Sequence, residues 1–73
     1  MFTIKWTNKY SGETGFVKSV SSKERHFNNT FDLGEARSYK SEKKASEIIK
    51  SLIDMGEGLN NNFEIINSLP VNE

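Results

Sequence analysis

Residues 41–55 carry the pattern that most narrows what this chain can become. Ala45, Ile48, Ile49, Leu52 and Ile53 fall at i, i+3, i+4, i+7 and i+8, the spacing of a helix with one apolar face. Ser41 stands where a hydroxyl can accept a free backbone N–H of the first turn, and Gly56 where a left-handed residue can close the last. Gly58 and the run Asn60, Asn61, Asn62 keep the helix from continuing. Lys43, Lys44, Glu47 and Lys50 fall on the opposite, solvent side. A single stripe cannot be buried by a single helix, so the rest of the chain has to supply the surface that covers it.

That surface reads as a small sheet. In "FTIKW" Phe2, Ile4 and Trp6 alternate with Thr3 and Lys5, the period of a half-buried strand. The turn-rich "TNKYSGETG" follows, then "FVKSVS" as the returning strand of a hairpin. Its inward face stays open: Phe16, Lys18 and Val20 share one side, Val17 and Ser19 the other. "HFNNTF" reads as a strand or extended turn, "DLGEA" as one helical turn capped by Asp32, and "RSYK" as a short strand leading into the helix. "NFEIINSL" reads as the last strand, with Pro70 stopping it. The expected fold is α+β: an antiparallel sheet of three to four strands packed on one α-helix, in the order β-β-(β)-α-β. The helical crossover before the last strand allows one strand pair to be parallel.

A length of 73 residues sets one domain, residues 1–73. A chain this short buries only about 60% of the surface its unfolded form exposes, so each core side chain counts for much. With no cysteine there is no disulfide to reinforce it, which suits a reducing compartment. The opening "MFTIKWTNKYSG" lacks the apolar core of a signal peptide, and no run approaches the roughly 20 apolar residues of a membrane span. A soluble cytoplasmic protein is the expectation.

Catalytic constellations are not visible in the chain. His26 is the one histidine, flanked by Arg25 and Phe27 as on a surface loop or strand start, and nothing marks it as a held base. No clustered carboxylate pair suggests a metal site. The glycines at 12, 15, 34, 56 and 58 match neither dinucleotide nor P-loop spacing and read as turn and cap residues. The chain reads as a non-enzyme with no cofactor.

Two binding signals remain. Aromatic and basic residues interleave in Lys5-Trp6, Lys9-Tyr10, Phe16-Val17-Lys18 and Arg25-His26-Phe27, a composition that can hold single-stranded nucleic acid by stacking and phosphate neutralisation. Against this, the net charge is zero, and from Ser51 onward the chain has acidic residues and no basic ones. The other signal is architectural. One helix covers one sheet face, and leaves the other face and the strand edges open to a protein partner. Tyr10, Lys18, Arg25 and His26, on the hairpin side, are the candidate contact residues, because tyrosine and arginine bury much area while keeping a polar handle.

Three segments, "FTIKW…GFVKS", "TFDLGEARSYKSEKKASEII" and "FEIINSL", together resemble small uncharacterised proteins encoded by phages and prophages of low-GC Gram-positive bacteria. The resemblance spans most of the chain, and its motif positions, Ala36, Tyr39, Ala45 and Ile49, are of core type. It implies a phage setting. Within that setting it implies a protein that binds and inhibits a host protein, as anti-CRISPR proteins of this size do. A small nucleic-acid-binding accessory protein is the alternative.

Overall fold

The computed structural model describes residues 1–21, 23–24 and 26–67. The hairpin is built as its sequence implies: β1 (Phe2–Asn8) returns antiparallel as β2 (Thr14–Ser21), with Lys5 opposite Phe16 and Trp6 opposite Gly15. Its turn is held by Asn8, whose side-chain Oδ1 accepts the backbone N–H of both Tyr10 and Ser11 at 2.9 Å. Such an asparagine replaces backbone partners that a five-residue loop cannot supply itself. Gly12, at φ 77°, takes the left-handed residue this loop requires.

The inward face of β2 changes along its length. Val17 is fully buried, and Lys18 is then an extra residue, since Val17 pairs with Asn29 while Ser19 pairs with Asn28. Past this bulge Val20 faces the core, opposite Phe27 of β3 (His26–Thr30). Neither of the two faces read from strict alternation is therefore inward throughout. Gly15 also departs from its reading as a turn residue, because it lies within β2 beneath Trp6. A Cβ there would stand 2.7 Å from Trp6 Cζ2, so only glycine lets the indole lie across the strand. The indole Nε1 then donates to the Phe16 carbonyl at 3.2 Å.

Asp32 caps the short 3-10 turn Leu33–Glu35, its Oδ1 accepting the Gly34 N–H at 2.8 Å. The chain then forms a two-residue strand, β4 (Ser38–Tyr39), and enters α1 (Glu42–Asp54). Ser41 caps α1 by accepting the Lys44 N–H at 3.1 Å, and Gly56 closes it at φ 94°. A second 3-10 turn, Glu57–Leu59, leads to β5 (Asn61–Asn67). Pro70, read as the stop of this strand, lies outside the described residues.

The expected α+β class holds, and the short strand read in "RSYK" forms as β4, bringing the strands to five against the three to four expected. All described strand pairs are antiparallel. β5 runs along one edge of β1, from Phe2 opposite Asn67 to Asn8 opposite Asn61. Along the other edge β1 meets β4 at Phe2 and Thr3, and β2 at Lys5 to Thr7. The crossover through α1 does join strands of like direction, β4 and β5, but β1 lies between them. The parallel pair that the crossover allowed therefore does not form.

The sheet curls into a half-barrel. Its curvature brings Phe27 on β3 against Phe63 on β5, two strands away from being neighbours, with ring centroids 5.8 Å apart. α1 packs against β1, β4 and β5. Ile4, Trp6, Val17, Tyr39, Ala45 and Leu52 form the buried core. Ala45 and Leu52 are the wholly buried residues of the helix stripe, Ile48 and Ile49 flank them half-buried, and Ile53 is 55% exposed. The apolar stripe is thus narrower than its spacing implies. Ile53 rests instead over the second 3-10 turn, close enough that a Cβ on Gly58 would meet its Cγ1 at 3.2 Å. Among the described residues, no helix is long and apolar enough to cross a membrane.

Candidate functional site

The four residues singled out from sequence do not form one site. Tyr10 is 80% exposed at the tip of the β1–β2 turn. His26 pairs with Ser21 at the opposite end of β2. Seven strand steps separate those ends, a distance on the order of 20 Å. Lys18 sits between them at the bulge, its Nζ 4.0 Å from Glu35 Oε1 on the surface. His26 Nε2 lies 3.3 Å from Glu24 Oε1, an exposed contact that is a salt bridge whenever the ring carries its second proton. Arg25 lies outside the described residues.

Tyr10 instead belongs to a different surface. Several segments converge where β1 ends and β5 begins. The Lys9 N–H donates to the Asn60 carbonyl at 2.8 Å, which ties the hairpin turn to the turn after the helix. Gly56, with its left-handed backbone, reverses the chain so that Glu57 and Leu59 fall at this same end. Two adjoining clefts result, and they share Asn61.

The first cleft, about 380 Å³, is apolar in its larger part: Ile53, Leu59 and Phe63 line it, with Lys9 at its side. Leu59 is 75% exposed. A leucine and an isoleucine left in water beside a cleft are the kind of surface whose burial against a partner is favourable, by about 25 cal/mol per Å² of apolar area. Helix spacing shows Ile53 as core; its actual place on the rim of a cleft depends on the turn beneath it.

The second cleft, about 330 Å³, has a different chemistry. Trp6 and Phe27 form its aromatic part, and Asn8, Asn29, Asn61, Glu13 and Glu57 its polar part. Asn61 Nδ2 donates to the Glu57 carbonyl at 3.4 Å, which leaves its Oδ1 free to accept. The residues come from five separate segments; Trp6 and Phe27 belong to the aromatic–basic signal of the sequence, and the polar ones carry no local signal that would have marked them. Asn and Glu in turns read only as solvated.

Elsewhere, the outer face of the sheet presents Lys5 opposite Glu64 and Thr7 opposite Asn62, a mixed polar surface. Lys43, Lys44, Glu47 and Lys50 are exposed on the outside of α1, as their spacing implied. Tyr39 is a core residue. Its burial pushes the phenol above its ordinary value, and Arg37, whose guanidinium carbon lies 5.8 Å from the ring centroid, pulls it partly back. Among the described residues no three acidic or histidine side chains gather as metal ligands would. Comparison with protein families, curated proteins and solved structures finds no match to this chain.

Proposed function

We propose that this chain is a non-catalytic binding protein that attaches to a host protein and inhibits it, with the two-cleft end as the contact surface. One observation carries this reading: Leu59, Ile53 and Tyr10, the first two beside an apolar cleft, are large side chains held in solvent by a rigid hairpin turn and a capped helix end. Rigid display of such groups reduces the ordering cost of association. The resemblance to small phage and prophage proteins supplies the setting, in which the partner is a protein of the bacterial host, a CRISPR effector being one candidate, and the consequence of binding is inhibition.

The nucleic-acid reading has one supporting feature. Lys40, Lys43, Lys44 and Lys50 are all exposed along and just before α1. Glu42 and Glu47 interrupt this row, and the lining of the polar cleft is acidic, so the stripe is a poor phosphate track.

The test is affinity capture from a Gram-positive lysate, with and without nuclease, using the parent chain and the double variant Ile53→Glu/Leu59→Glu. Both positions are exposed, so the variant should melt close to the parent. Nuclease-resistant recovery of one protein by the parent, lost in the variant, is the expected result. Recovery that vanishes with nuclease would transfer the proposal to nucleic acid. Equal recovery by parent and variant would move the contact away from this end.

A further inference from the structure

The polar cleft has an imbalance of charge that points to a particular ligand chemistry. Its lining contains two carboxylates, Glu13 and Glu57, and the side chains of Asn8, Asn29 and Asn61, but no lysine or arginine. The donor that Trp6 contributes is already engaged, since its Nε1 bonds the Phe16 carbonyl. Asn61 spends one amide N–H on the Glu57 carbonyl and keeps the other with its oxygen. Asn8 spends its oxygen on the hairpin turn and keeps its amide N–H groups. What stays unengaged is amide N–H and oxygen in similar number, so what sets the lining apart is its charge: two carboxylates and no cation. A ligand suited to the carboxylates of this lining is cationic and rich in donors.

Arginine meets both conditions. Its guanidinium offers five N–H donors in one plane, has no acceptor, and stays charged at any working pH. It pairs with carboxylates in a fork geometry that a point-charge ammonium cannot reproduce. A volume of about 330 Å³ accommodates the head group together with its aliphatic stem.

We propose that this cleft receives an arginine side chain from the bound partner. The inference rests on the protein-binding reading, and adds that the partner surface carries an exposed arginine opposite the polar cleft. Because the cleft is formed within the chain, arginine recognition can be measured without the partner. Failure of the arginine site would thus leave the protein-binding reading standing, and loss of the partner would leave the arginine site measurable.

The experiment is a titration of the ¹⁵N-labelled full chain with Nα-acetyl-arginine methylamide, followed by NMR. Matched titrations use the lysine compound and the citrulline compound, a neutral isostere of arginine. Saturable shifts are expected at the Asn29 and Asn61 side-chain amides and the Trp6 indole N–H, with an affinity on the order of millimolar, as suits one side chain. Citrulline should give no saturable response, and lysine one several-fold weaker. The Glu13→Gln/Glu57→Gln variant should weaken arginine binding about tenfold or more while the remaining resonances stay in place. No saturable response to arginine, or an equal response to citrulline, would overturn the site. An equal response to lysine would overturn the assignment to arginine.

Discussion

Leu52 and Ile53 are neighbours on one helix, both apolar and both part of one i, i+3, i+4 pattern, yet the fold treats them oppositely. Leu52 is wholly buried beside Ile4 and Ala45 in the core, and Ile53 is more than half exposed on the rim of the apolar cleft. Leu52→Ala should therefore cost about 2–4 kcal/mol through lost burial and the cavity left behind. A chain of 73 residues has a total stability of roughly 4–11 kcal/mol. Loss on that scale should lower the melting temperature by more than about 10 °C. Ile53→Ala should stay within about 0.5 kcal/mol of the parent, because the side chain it removes was largely hydrated. Thermal melts followed by circular dichroism read both, and equal destabilisation by the two variants would reverse the helix orientation described above. The same contrast shows what was legible in residues. Burial of Ala45 was readable from spacing. Exposure of Ile53 was not, since it depends on the Glu57–Leu59 turn folding beneath that side of the helix. Gly15 was misread for a related reason: a glycine near a turn reads as part of the turn, while the indole it admits arrives from another strand.

At the scale of elements, local chemistry was the more readable part. Ser41 caps α1, Asp32 caps the Leu33–Glu35 turn, and Gly56 closes the helix, each through a bond made within three residues. Such contacts depend on nearby sequence alone. Ser41→Ala should cost about 1 kcal/mol, because the Lys44 N–H loses its acceptor in the first turn. Replacement by Asp, which keeps an acceptor there, should restore the parent's melting temperature to within a few degrees, and a chemical-denaturation series measures both. Relations between elements were less accessible. The bulge at Lys18 reverses the inward face of β2 midway, and nothing in "FVKSVS" announces where alternation should skip. The place of β1 between β4 and β5 likewise follows from tertiary pairing, which is why the crossover produces no parallel pair.

For the whole molecule, the decisive feature is that curling the sheet gathers distant segments at one end. The candidate contact residues read from sequence were scattered by this same curl and by the length of β2: Tyr10 falls beside the clefts, while Lys18 and His26 lie along and beyond the strand. The residues that compose the clefts, Glu13, Asn29, Glu57, Leu59 and Asn61, were passed over because in isolation each is an ordinary turn or edge residue. Amide-exchange footprinting of the captured complex tests the two-cleft end most directly as the contact surface. Backbone N–H groups inside β1 and β5 already exchange slowly through their ladder bonds, so the turns on either side of the clefts are the sensitive reporters. Exchange should slow on binding across residues 9–13 and 55–60. Unchanged exchange in both turns, with new protection along the lysine-bearing face of α1 instead, would contradict the assignment of function to this end of the molecule.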